Sequence, residues 1–185
     1  MNWASARCSR GSAPRRNVKR APESFAAVAK SIALFGAALA GIPYVPLNYR
    51  LADTDLAALL ARIAPAFVIG DVDRLRRLAP DAGHTLHSRS DFVTAAEAAA
   101  DKAAVEEQDG EGIAAQIFTS GTTAAPKAAL LRHANLVSYI LGTVEFCSAG
   151  EQEAALVCVP PYHIAGIAAL LSSIYAMRRI VLLPN

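Results

Sequence analysis

Short apolar runs alternate with longer amphipathic ones along most of this chain, and that alternation restricts its fold more than any other property. "AFVIGD", "IAAQIF", "AALVCV" and "RRIVLLPN" are brief apolar stretches bounded by turn residues. Between them, apolar residues recur at three- and four-residue steps, the period of a helix with one buried face. Strand, helix and strand joined by brief connectors build a parallel sheet through right-handed crossovers, so the expected class is α/β with mostly parallel βαβ layers.

The first helix is expected to open at Pro22 and Glu23 and to bury Phe25, Val28, Ile32, Phe35 and Leu39, with Gly41 and Pro43 ending it. "YVPL" then reads as a short buried strand. Leu56, Leu59, Leu60 and Ile63 form a second stripe, capped by Asp53 or Thr54 and stopped by Pro65. "YVPL", this helix and "AFVIG" should together make one parallel crossover unit. "DVDRLRRL" reads as a short helix and "DAGHTLHSRS" as turn or irregular chain. "TAAEAAADKAAVEEQDGEG" is helix-prone and ends as an acidic, glycine-rich surface linker. Downstream, Leu136, Tyr139, Ile140 and Val144 mark a helix with Asn135 at its cap, and another helix follows His163. The strand at "RRIVLLPN" has nothing to cover it, which predicts an open sheet edge.

Composition narrows the function. The 185 residues suffice for one domain with a core, and the formal net charge of +2 excludes the whole molecule as an electrostatic binder of nucleic acid. Arg7, Arg10, Arg15, Arg16, Lys19 and Arg20 stand together without an acid. Residues 1–21 are therefore expected to be a disordered basic tail, and residues 22–185 the folded part. The tail has no interleaved aromatic residues, so no nucleic acid is expected as a partner. Cys8, Cys147 and Cys158 are too widely spaced for a disulfide framework or a zinc knuckle, and a reducing cytoplasm is the simplest setting. Cys158, inside a strand run, should be buried and inert. His84 and His87 should be solvated turn residues. "IALFGAALAGIPYVPL" falls short of the ~20 apolar residues of a membrane span, and prolines interrupt it, so the chain is not expected to cross a membrane.

The chemistry concentrates in "FTSGTTAAPKAALLRHANL". A loop directly after a strand can aim backbone N–H groups at phosphate oxygens, and Thr119, Ser120, Thr122 and Thr123 add hydroxyl donors. Gly121 lets the backbone approach closely, Pro126 restricts the exit, and Lys127 supplies a mobile positive charge. The nucleotide P-loop is excluded, because Pro126 stands where its second glycine belongs and Ala128 follows the lysine. An ordinary polar turn with a surface lysine uses the same residue types; the residues around the loop separate the two readings.

Those residues carry a resemblance. Phe118, Thr119, Ser120, Gly121, Thr122, Thr123, Pro126 and Lys127, then His133, Asn135 and Leu136, resemble the phosphate-binding signature of the adenylate-forming enzymes, the superfamily of acyl-CoA synthetases, luciferases and peptide-synthetase adenylation domains. "VPPYHIAGI" is similar to a second segment of that superfamily through Pro160, His163 and Gly166, and "FGAALAGIPYVPLNYRLADTDLAALL" to its early helix–strand–helix. The resemblance implies part of an adenylate-forming N-terminal domain that activates a carboxylic acid, expected to be a fatty acid, with ATP. The acyl-adenylate formed is then passed to coenzyme A. It implies that Thr119, Ser120, Gly121, Thr122, Thr123 and Lys127 hold the ATP phosphates, that Thr122 also helps at Mg2+, and that His163 and Gly166 adjoin the acid.

Departures from the pattern bear on activity. Ala124 and Ala128 stand where the superfamily prefers glycine, and a positive φ at either would cost about 1–2 kcal/mol. The superfamily's adenine and ribose segments, and the mobile domain carrying its catalytic lysine, are expected to lie beyond Asn185. The chain is accordingly read as the first part of a synthetase, inactive alone. A non-catalytic remnant, or one piece of a split protein that binds nucleotide weakly or pairs with a second chain, is the alternative.

Overall fold

The computed structural model describes residues 24–80, 82–99, 109–119, 126–160 and 162–182. The basic tail, Pro22, Glu23 and the acidic linker at 101–108 lie outside the described residues. In chain order the elements are α1 (Ser24–Leu39), α2 (Asp53–Arg62), β1 (Phe67–Gly70), α3 (Val72–Leu78), β2 (Thr85–Ser88), α4 (Arg89–Ala99), β3 (Ile113–Thr119), β4 (Lys127–Arg132), α5 (His133–Thr143), β5 (Ala154–Val157), α6 (Ile164–Tyr175) and β6 (Arg179–Leu182). The fold is α/β. Among the described residues β1 pairs parallel with β2 and β5 parallel with β6, while β3 and β4 run antiparallel. Each of these sheets is small and open-edged.

Two apolar clusters organise the molecule. In one, Leu34 of α1, Ala115 and Ile117 of β3 and Ile167 of α6 are buried together, with Tyr44, Leu131, Leu170 and Leu171 packed around them. In the other, Leu56 and Leu60 of α2 meet Leu75 of α3, with Val68 of β1 and Leu86 of β2 alongside. The first cluster seats β3 against α6; the second fixes α2 and α3 beside the β1–β2 pair.

Several local expectations are corrected. "YVPL" is not a strand of the β1 sheet. Tyr44 makes a single parallel bridge to Ala115 of β3, donating its N–H to Ala114 O at 3.0 Å and accepting from Gln116 N–H at 2.9 Å. Pro43 and Pro46 flank it and have no N–H to extend a ladder. The expected crossover from "YVPL" through α2 to β1 therefore does not form; α3 is the crossover, carrying the chain from β1 to its parallel partner β2. That partner comes from the polar segment "DAGHTLHSRS", expected to be turn or irregular chain, where Leu86, His87 and Ser88 are half-buried against β1.

Helix α1 is apolar on more than one side, and its pattern cannot choose among them. Ala29 and Leu34 are buried, whereas Phe35 and Leu39 are 39% and 43% exposed. The side chain of Phe25 lies outside the described part. Asp53 does not cap α2; Ala52 is the cap residue, and the Asp53 carboxylate accepts from Arg74 Nη2 at 2.7 Å and Nε at 3.0 Å. Arg74 also donates to the Tyr49 carbonyl at 2.8 Å, tying α3 to the entrance of α2. Asn135 sits three residues into α5 and accepts from the N–H of the true cap residue, Arg132, at 2.9 Å. In α5, Ile140 is buried while Tyr139 faces out.

Burial pushes the Tyr44 hydroxyl up to about 12. An unfolded tyrosine titrates near 10, so between pH 10 and 12 the folded state holds the proton more tightly than the unfolded one. Stability is then fully present below pH 10 and declines as pH rises through 12, by roughly 3 kcal/mol in all. Urea melts from pH 9 to 12 should show this decline, and Tyr44→Phe should flatten it; equal slopes for both proteins would contradict the assignment to Tyr44.

Candidate functional site

The loop stems are a strand end and a strand start. Strand β3 runs through the core with Ala114 and Ala115 almost wholly buried and emerges at Thr119. Strand β4 begins at Lys127, directly opposite Thr119 in the antiparallel register, and Ala128 faces Phe118. The Thr119 hydroxyl donates to the Lys127 carbonyl at 3.3 Å. Both residues are exposed, and the Lys127 ammonium has no ion-pair partner among the described residues. Ser120, Gly121, Thr122, Thr123 and Ala124 lie outside the described residues. The expected strain at Ala128 is not found: it sits in an extended strand, where alanine has no φ penalty.

A residue that sequence reading missed holds these stems. Arg62, in the last turn of α2, donates from Nη1 to the Pro126 carbonyl at 2.6 Å. Its guanidinium also lies over the Phe118 ring, 5.0 Å from the centroid. Pro126 is 64 residues away in sequence, and a lone arginine at a helix end carries no signal of such reach.

His163 is the cap residue of α6, with extended backbone and an exposed side chain. Its ring lies 4.8 Å from that of Tyr162, which in turn meets Tyr49 edge-on at 6.2 Å. Gly166 is buried in the first turn of α6 and donates its N–H to the His163 carbonyl at 3.0 Å. The shared core of Ala115, Ile117 and Ile167 thus fixes the helix headed by His163 against the strand that ends in Thr119.

A cavity of about 730 Å³ opens between α1, the 42–49 segment, α2 and β1, and it shares Arg62 and Tyr162 with the surroundings of the site. Its walls are largely apolar, and its charged lining is Lys30, Arg62, Arg74 and Arg89 against the single carboxylate of Asp71. Burial, and then the charge of Arg89, lower the pKa of the Lys30 ammonium, which lies 5.8 Å from the Tyr49 ring centroid. The Asp71 carboxylate is held below its usual range, chiefly by the N–H of Arg74 that it accepts at the start of α3.

The other histidines and the strand cysteine are placed differently from expectation. His84 accepts the Ala66 N–H on Nδ1 at 3.1 Å, and its buried Nε2 has no hydrogen-bond partner among the described residues. His87 stacks on Phe67 at 4.4 Å. Both are packing residues of the β1–β2 region rather than solvated turns. Cys158 follows β5 and is exposed, not buried. No group of three or more potential ligands that could hold a metal occurs among the described residues, and no helix there is long and apolar enough to cross a membrane.

Comparison with known proteins places these features. The sequence pattern of the family described as AMP-binding enzyme matches residues 27–185. A feruloyl-CoA synthase from Amycolatopsis sp. is 30% identical over 135 residues, which are 72% of this chain and 27% of that protein. A 2-succinylbenzoate–CoA ligase from Bacillus mycoides (strain KBAB4) is 32% identical over 69 residues, 37% of this chain and 14% of that one. Among solved structures, an ATP-bound RpMatB-BxBclM chimera superposes with a TM-score of 0.74 at 26% identity, over 85% of this chain and 33% of the other. ATP-bound MatB from Rhodopseudomonas palustris gives 0.73 at 24% identity, over 91% and 34%, a likeness of fold. The chain spans 27% of the length of that feruloyl-CoA synthase and 33% of that RpMatB-BxBclM chimera.

Proposed function

This chain belongs to the AMP-binding enzyme family, and from that membership we propose that its 119–127 turn binds the polyphosphate of ATP while His163 and Gly166 face the carboxylic acid to be activated. The observation that carries the reading is the hairpin stem: Thr119 and Lys127 stand opposite each other at the mouth of a hydroxyl-rich turn, with the ammonium unpaired among the described residues. A polyphosphate placed there meets an exposed positive charge in a segment rich in residues that can donate hydroxyl hydrogen bonds. Thr119, Ser120, Gly121, Thr122 and Thr123 contribute donors, Lys127 neutralises charge, and Thr122 assists at Mg2+.

The reaction so served has two steps. A carboxylate oxygen bonds to the α-phosphorus of ATP and pyrophosphate leaves, giving an acyl-adenylate. The sulfur of coenzyme A then bonds to the acyl carbon and AMP leaves. The named relatives, a feruloyl-CoA synthase and a 2-succinylbenzoate–CoA ligase, favour an aromatic acid over the fatty acid first expected.

The 185 residues supply one side of this chemistry. Leu130, Leu141, Phe146, Leu156 and Val181 are each more than 40% exposed, on or beside β4, α5, β5 and β6. Exposed apolar side chains along short open sheets mark a face built to be covered. The part of the family fold outside the matched third is the covering we propose, on the same polypeptide or a second chain. Isothermal titration of the 185-residue chain should show ATP binding that inorganic tripolyphosphate competes away, with no acid-dependent ATP–pyrophosphate exchange. Failure of tripolyphosphate to compete sinks the phosphate reading, and robust exchange sinks the claim of dependence on a remainder.

A further inference from the structure

We propose that Arg62 is a positioning residue for the polyphosphate turn: from the end of α2 it braces both stems at once, holding Phe118 and Pro126 beside the paired residues Thr119 and Lys127. The claim rests on the nucleotide reading of residues 119–127 for its purpose, but on geometry alone for its substance. One guanidinium edge donates to the carbonyl of Pro126, the last residue before β4, at 2.6 Å. Its Cζ lies over the ring of Phe118, the residue before Thr119, 5.0 Å from the centroid. Pro126 has no N–H and so cannot be held by β3 through a ladder donation of its own. Its carbonyl is instead captured by a side chain from a different part of the fold.

Arginine suits the task because its planar fork can donate in plane while stacking through its face, which an ammonium cannot do. The base of the brace is rigid. Leu59 and Leu60, three and two residues earlier, are buried at 3% and 1% exposure, so the backbone of Arg62 is fixed by the α2–α3 core while its side chain reaches across the surface. The device thus couples the α2–α3 cluster to a turn that belongs to the β3–α6 cluster. Its charge remains beside the place where phosphate is proposed to sit, so its effect should be read most strongly by a highly charged anion.

Hydrogen exchange of peptides covering residues 117–129, compared for wild type, Arg62→Met and Arg62→Lys, tests the brace without any ligand. Arg62→Met should speed exchange there about tenfold, the size expected for losing one charge-assisted hydrogen bond, while exchange in α5 and β6 stays as in wild type. Arg62→Lys keeps a donor for Pro126 and should recover part of the protection; Phe118→Leu, which removes the ring, should lose part of it. Unchanged exchange in Arg62→Met overturns the proposal. So does a collapse of the whole fold in that variant, because an exposed brace leaves the α2 core contacts intact. Titration with inorganic tripolyphosphate gives the second reading: Kd should rise about tenfold in Arg62→Met and return partway in Arg62→Lys. A loop that loosens as described in a protein that never binds tripolyphosphate or ATP keeps the brace and removes the nucleotide reading instead.

Discussion

Leu60→Ala is expected to lower the free energy of unfolding by about 2–5 kcal/mol, the range for emptying a well-packed leucine site. Leu60 is 1% exposed and sits between Leu56 and Leu75, where α2 and α3 meet. The space it leaves is walled by two helices that Arg74 ties together through Asp53 and the Tyr49 carbonyl, so the walls have little freedom to close in. A domain of ordinary stability holds about 5–15 kcal/mol in total, and this substitution removes a large part of it. In urea the midpoint should fall by on the order of 1–2 M at unchanged slope. Leu130→Ala, at a leucine 54% exposed on β4, is the control and should stay within about 0.5 kcal/mol of wild type. Equal effects at the two sites would mean that the α2–α3 cluster is not the core it is described to be.

The second large effect is on binding. Lys127→Met should weaken ATP about 10- to 150-fold, the equivalent of one charged hydrogen bond worth about 1.5–3 kcal/mol. The stems should survive the change, since Lys127 pairs with Thr119 through its backbone and its side chain is exposed. Circular dichroism should therefore match wild type while the Kd from titration calorimetry rises. Lys127→Arg keeps the charge but changes its reach and shape, and should fall between the two. A methionine variant that binds ATP as tightly as wild type would remove Lys127 from the phosphate site.

Much of this was legible in the sequence because local patterns and final environment agree. The stripe Leu56–Leu59–Leu60 is buried as its spacing predicts, and β3, β5 and β6 lie where short apolar runs stand between turns. Legibility fails where the deciding contact is distant. "YVPL" has the composition of a strand, but its prolines allow one bridge only, and β3 rather than β1 supplies the partner. Strand β2 was hidden because His84 before it and His87 within it look polar, although the first accepts a backbone N–H and the second stacks on Phe67. In α1, an almost continuous apolar sequence left the buried face undetermined until Leu34 met Ala115 and Ile167. Arg62 shows the limit most clearly: nothing near it in the chain foretells Phe118 or Pro126.

The register of β3 against β4 has an engineering consequence. With Thr119 and Lys127 facing each other across a single strand spacing of about 5 Å, the intervening residues enter and leave the scaffold at one gate. A change of length that keeps Pro126, and with it the contact to Arg62, should leave the Thr119–Lys127 pair and the register behind it in place. Swapping in the corresponding turn of a relative on that condition should leave the unfolding midpoint as in wild type.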